Sequence, residues 1–124
     1  MKTIRIIVAG SRSFNDKQYI FEKLDKILAN YEKDDVEFVS GMAYSGPDKI
    51  IFEYAELRGY PKPKEFPADW DNLGKAAGYI RNDEMAKYGT HAVLFWDGVS
   101  KGTNHMFNIA LTHRLVTKRY IVKA

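Results

Sequence analysis

The sequence predicts an α/β fold, a three-layer sandwich in which helices cover both faces of a mostly parallel five-stranded sheet. Three observations lead there. Residues 3–9 (TIRIIVA) and 92–96 (AVLFW) are nearly continuous in apolar, β-branched or aromatic side chains, as in strands covered on both faces. Each run stops at a polar, glycine-bearing turn, after which apolar residues recur at helical spacing. Strand and helix patterns then alternate along the whole chain, which builds a parallel sheet through right-handed crossovers.

In order, the first strand carries Arg5 as its one interruption and reads as central. Asp16 is the expected cap of the first helix, whose Ile20, Leu24, Ile27, Leu28 and Tyr31 share one stripe. Asp34 and Asp35 break that pattern, and residues 36–39 form a second strand. Ser45 and Asp48 then have capping-box spacing around Pro47, so the second helix is expected to start under Ser45, to place Ile51, Ala55 and Arg58 along one edge of its buried face, and to end at Gly59. Residues 64–66, bracketed by Pro63 and Pro67, are confined to a sheet edge. A loop at 67–71 exposes a tryptophan, and the third helix runs from about Leu73 to Tyr88. After the strand at 92–96, Thr103 is the expected cap of a last helix bearing Phe107, Ala110, Leu111 and Arg114 at helical spacing, and residues 119–122 close the sheet.

Composition narrows the function classes. A chain of 124 residues suits one domain, 1–124, with one real core. Apolar residues at 45% and charged residues at 28% are ordinary for a globular protein, and no apolar run approaches the ~20 residues that span a bilayer. The start of the chain is unlike a signal peptide, so a cytoplasmic setting is expected, with no membrane partner. Without cysteine there is no disulfide or thiolate chemistry; His105 and His113, eight apart on the last helix, cannot chelate one metal without a third partner, so neither metal nor cofactor is expected. A net charge of +3 does nothing to repel an anionic ligand. Lys62, Lys64, Lys118, Arg119 and Lys123 form basic clusters that suit a solvated face better than a nucleic-acid groove.

In a sheet of this type ligands sit beyond the carboxyl ends of the strands, where the strand order reverses. That directs attention to residues 10–13, 40–48, 67–70 and 97–103. Gly10, Ser11 and Arg12 follow the central strand, where a phosphate cradle would lie, and Gly98, Ser100, Gly102 and Thr103 lead into a helix N-terminus that favours an anion. Ser40 and Gly41 are weaker candidates of the same kind. Neither glycine-rich turn has the dinucleotide or Walker spacing, which excludes those nucleotide sites. Trp70 or Trp96, with Asp69 beside the first, could stack a base. On the third helix Gly74, Ala77, Gly78, Met85 and Tyr88 all project within about 60° of Arg81 at ~100° per residue. An arginine on so small a face either meets an anionic ligand or pairs with a carboxylate such as Asp48 or Asp97 while the glycines permit tight packing.

Together, Gly10-Ser11-Arg12, Ser40-Gly41 with Gly46 and Asp48, Ala77-Gly78 with Arg81-Asn82 and Met85, and Phe95-Trp96-Asp97-Gly98 with Ser100, Gly102 and Thr103 resemble the YspA-type, YpsA-related branch of the SLOG superfamily. These are Rossmann-like proteins of bacteria and phages, related to the LOG phosphoribohydrolases and to the DNA-processing protein DprA. The resemblance implies a nucleotide or nucleotide-derived ligand, bound by a sensor or sequestering protein, and a homodimer paired through helices beside the pocket. In the LOG enzymes an Arg-Lys-x-x-Met helix works with a glutamate that follows Pro-Gly-Gly-x-Gly-Thr. Arg81 and Met85 match the first motif, with Asn82 in place of lysine; Gly102-Thr103 match the end of the second, but Asn104-His105-Met106 supply no glutamate. N-glycoside hydrolysis, the alternative, would need Arg81 with Asp48, Asp69 or Asp97 as the acid, and spacing does not choose among the three. The DprA resemblance implies single-stranded DNA binding as a third possibility.

Overall fold

A computed structural model describes residues 2–123, leaving Met1 and Ala124 of the expected 1–124 domain outside the described residues. Five strands, β1 (Ile4–Gly10), β2 (Val36–Ser40), β3 (Lys64–Glu65), β4 (His91–Trp96) and β5 (Val116–Ile121), form one sheet in the order β3-β2-β1-β4-β5. Every pairing is parallel, so the sheet is wholly rather than mostly parallel. The helices are α1 (Lys17–Leu28), α2 (Pro47–Arg58), the single turn α3 (Trp70–Leu73), α4 (Ala77–Tyr88) and α5 (Lys101–Thr112).

The alternation of side chains along β1 divides the core. Ile6 and Val8 pack with Val36, Phe38, Val93 and Phe95 under α1 and α2, while Ile7 and Ala9 pack with Val39, Ala92 and Leu94 under α4 and α5. This is the three-layer sandwich. From β1 the chain steps outward to β2 and β3, then crosses back to place β4 on the other side of β1. With right-handed crossovers, reversing the direction of travel moves the helices to the opposite face. The connections after β1 and β4 therefore diverge and open a crevice at their carboxyl ends.

Local signals set most element ends. Asp16 caps α1, its carboxylate accepting from Tyr19 N at 3.1 Å, and Gly59 ends α2 in the left-handed region. Ile20, Leu24 and Leu28 are buried, with Ile27 and Tyr31 packed at the edge of the same core.

Five expectations change. Gly46, not Ser45, precedes α2: Ser45 Oγ donates to Arg12 O at 2.8 Å, and residue 46 adopts φ 79° hard against the Ser11 carbonyl, a conformation and a space that suit only glycine. Ser100, not Thr103, caps α5, because the Asp97 carboxylate accepts from Val99 N and Ser100 N and turns the chain into the helix three residues early. The buried face of α5 is Thr103, Met106 and Ala110; Leu111 is exposed and Arg114 lies beyond the helix end. The third helix breaks at Gly74, whose positive φ separates α3 from α4, so only Gly78 of the two glycines shares a helix with Arg81. β5 also begins earlier than residue 119, since Val116 already pairs with His91.

No helix of the described residues is long and apolar enough to cross a membrane.

Candidate functional site

Beyond the carboxyl ends of β1 and β4 lies a cavity of about 500 Å³, a size that suits a small-molecule ligand. Of the sequence candidates, Gly10, Arg12, Gly41, Asp48, Trp70, Arg81, Asn82, Ser100, Gly102 and Thr103 line it. Ala9, Met42, Ala43, Tyr44, Pro67, Ala68, Lys75, Gly78, Tyr79, Met85 and Met106 complete the wall. Met85 and Met106 also belong to the core under α4 and α5, so the cavity floor is the top of that core.

Arg81 enters from the side of α4. Its guanidinium donates through Nη1 to Gly41 O and through Nε to Asn82 Oδ1 at 3.0 Å. Arg81 forms no ion pair with Asp48 or Asp97 among the described residues. Burial depresses its pKa and the nearby Asp48 charge opposes that shift. The glycines have separate reasons. A Cβ at residue 41 would meet the guanidinium at 2.6 Å, and one at residue 78 would meet the Trp70 ring at 3.2 Å. Trp70 thus rests on Gly78 beside Arg81, with 58% of its surface still exposed at the cavity wall.

Asp48, in the first turn of α2, is the acid of the lining. It is buried, and Ala43 N donates to its Oδ2 at 3.3 Å. Burial pushes its pKa up to about 6, against the pull of the Arg81 charge and of the Ala43 and Gly10 backbone N–H groups. Ser40 holds this turn in place: its hydroxyl donates to Asp48 O at 2.7 Å and accepts from Met42 N at 3.1 Å, and Met42 takes a left-handed φ of 65°. Ser40 therefore shapes the site from beneath without lining it.

Three other candidates also stand outside the cavity wall. Ser11 is buried, with its Oγ accepting from Asp97 N at 3.1 Å, so it joins the turns after β1 and β4. Trp96 turns away: its Nε1 donates to Ser100 O at 2.9 Å and the Arg119 guanidinium covers its ring at 4.7 Å. Gly98, at φ 85°, belongs to the Asp97 turn, and a Cβ there would point into open space.

The remaining acids separate by environment. Asp97 is held below the usual carboxylate range by the Ser100 and Val99 backbone N–H groups. Asp69 is exposed and caps α3, accepting from Asn72 N at 3.3 Å. Asp48 alone of the three combines burial, a place in the cavity wall and a raised pKa.

At the rim, Arg12 lies over the Tyr44 ring at 5.2 Å and Lys75 approaches from the turn before α4. The other basic residues do not gather. Lys62 precedes β3 and Lys64 lies in it, while Lys118 and Arg119 lie on β5, the opposite edge of the sheet.

Sequence reasoning missed Lys75 and Tyr79, which the break at Gly74 swings to the wall, and Met42, whose backbone strain has no sequence signature. It also missed His105, whose Nδ1 lies 3.1 Å from Asn82 Nδ2 across a gap of 23 residues.

Comparison with known proteins adds to this geometry. The family model for the YspA, cpYpsA-related SLOG family matches residues 4–72, a stretch holding Gly10, Gly41, Asp48 and Trp70 but ending before Arg81. The chain is similar to the Gene 61 protein of Mycobacterium phage D29, 31% identical over 106 residues that cover 82% of this chain and 83% of that protein. No solved structure matches it. With the parallel sheet, the crevice at its reversal point and these two matches, the chain belongs to the YspA, cpYpsA-related SLOG family.

Proposed function

We propose that the cavity binds a nucleotide or nucleotide-derived ligand and that the protein senses or sequesters it. The observation that carries this reading is Arg81, a half-buried guanidinium in the cavity lining that is pinned by Gly41 O and Asn82 Oδ1 and has no carboxylate at ion-pair distance among the described residues. A phosphate supplies the missing anion. Opposite, the first turn of α5 brings Gly102, Thr103 and the positive end of its helix dipole, and Arg12 and Lys75 add charge at the rim. Trp70 and Tyr79 offer apolar faces for a base. Ser11 and Ser40 serve by holding the turns rather than by touching the ligand.

The test is a thermal-shift screen with AMP, ADP-ribose and cyclic dinucleotides. A ligand present at 100 times its Kd stabilises the fold by about 2.7 kcal/mol, which for a chain of this size raises Tm by roughly 10 °C. A flat response to every nucleotide removes the reading.

A second reading, N-glycoside hydrolysis, draws on Asp48. A carboxyl group with a pKa of about 6 retains enough of its acid form near neutrality to protonate a departing base, as water adds to the sugar carbon. Release of free base from AMP, lost in Asp48→Asn, distinguishes turnover from binding alone.

A further inference from the structure

Two one-way partners fix the Asn82 amide. Arg81 Nε can only donate and lies 3.0 Å from Oδ1, whereas Gly102 O can only accept and lies 3.3 Å from Nδ2. The second Nδ2 hydrogen is left for His105 Nδ1 at 3.1 Å, so that nitrogen must accept. His105 is consequently neutral, with its proton on Nε2. Asn82 is buried and its three polar bonds are all used, so its orientation depends on each of them.

We infer that His105 is a positioning residue: through Asn82 it steadies the Arg81 guanidinium at the cavity wall, and its protonation loosens that hold. The functional consequence rests on the proposed role of Arg81 in holding an anion. An imidazolium carries a hydrogen on Nδ1, which places two donors face to face. If the amide turns over to relieve this, Nδ2 meets Arg81 Nε and Gly102 O loses its donor; if the ring leaves instead, Asn82 loses a support. In the first case Arg81 loses its acceptor at Nε; in the second that acceptor remains but is less firmly held, and in both Nη1 keeps Gly41 O.

The groups facing His105 set the pH of its protonation. From α4, the Tyr79 ring lies against it with centroids 4.4 Å apart, Asn82 bonds to it, and the charge of Asp83 acts on it. Asp83 is itself occupied by Lys87 and His113. Burial lowers the His105 pKa and Asp83 opposes the shift, so protonation falls below the ordinary imidazole value of about 6.5. Asp48 titrates at about 6, and its effect must be separated from that of His105.

The test uses the full chain without ligand. Nitrogen-15 NMR from pH 8 to pH 5 follows the His105 ring and the Arg81 Nε–H signal, in the natural sequence and in an Asp48→Asn background. The expected results are the Nε2–H tautomer and an Arg81 signal that broadens with the His105 midpoint in both backgrounds. His105→Asn keeps an acceptor where Nδ1 stands and does not titrate, so the Arg81 signal stays sharp throughout; His105→Leu broadens it at every pH. An Nδ1–H tautomer, or an Arg81 signal indifferent both to this titration and to His105→Leu, overturns the inference. Calorimetry with AMP then reads the consequence: affinity falls about tenfold across the His105 midpoint and stays flat in His105→Asn. Failure of AMP to bind at any pH counts against the nucleotide reading, while the ligand-free spectra decide the His105 inference independently.

Discussion

Arg81 lies flat against Gly41, close enough that a Cβ on residue 41 would stand 2.6 Å from Nη1 and 2.9 Å from Cζ. The atoms in the way are the far end of a flexible side chain rather than backbone, so Gly41→Ala displaces the guanidinium without prying the sheet apart. The expected outcome is a ligand affinity reduced at least tenfold, about 1.4 kcal/mol, with stability changed by less than about 1 kcal/mol. In an Arg81→Ala background the same substitution has no further effect on affinity, and a double-mutant cycle by calorimetry measures that coupling.

Asp48 makes stability depend on pH in a stated direction. Its pKa rises from 3.8 to about 6 on folding, so the folded chain holds this proton more tightly than the unfolded one. The contribution favours folding below the unfolded value and is lost as pH rises through about 6. About two pKa units correspond to roughly 3 kcal/mol. Asp48→Asn, neutral at all pH, is therefore more stable than the natural sequence at pH 8 by up to that amount, and the advantage closes toward pH 4. Thermal unfolding at stepped pH checks this; a pH-independent offset contradicts it.

Ser11 separates a structural role from a ligand role. Its buried Oγ accepts from Asp97 N, and Ser11→Ala leaves that N–H unpaired at a cost of about 1–3 kcal/mol. The expected result is a lowered Tm with affinity within about threefold of the natural sequence, a difference of roughly 0.7 kcal/mol. Unchanged Tm with a large affinity loss would place the hydroxyl on the ligand.

Trp70 is more than half exposed and rests on Gly78, so Trp70→Ala costs little stability. Base–aromatic stacking is worth about 1–3 kcal/mol, which predicts an affinity loss of roughly 5- to 150-fold. Ligand quenching of tryptophan fluorescence, present in the natural sequence and reduced in Trp70→Ala, is the check.

The legible features were those carried by continuous patterning. The apolar runs at the first strand and at residues 92–96 became β1 and β4, neighbours at the centre of the sheet, and the carboxyl-end rule led from them to the cavity. Asp16 and Gly59 could be read because a cap needs only its local neighbours. Ser45 and Thr103 misled for the converse reason. The first is drawn off by the Arg12 carbonyl 33 residues away, and the second yields to a turn that Asp97 organises upstream. Trp96 is covered by Arg119 from the neighbouring strand β5, a contact that local sequence does not encode. The choice among Asp48, Asp69 and Asp97 turns on burial, which spacing does not encode. The Asn82–His105 bond joins two helices and leaves no periodic trace in the chain.

The central claim is that Arg81 meets the anionic group of a nucleotide-derived ligand inside this cavity. Isothermal titration of AMP and ADP-ribose into the natural sequence and into Arg81→Ala tests it most directly. Loss of a hydrogen bond to a charged group costs about 1.5–3 kcal/mol, so saturable binding to the natural chain with at least a tenfold loss in Arg81→Ala is the predicted result. Equal affinity in the two proteins, or no binding of either nucleotide to the natural chain, would contradict it.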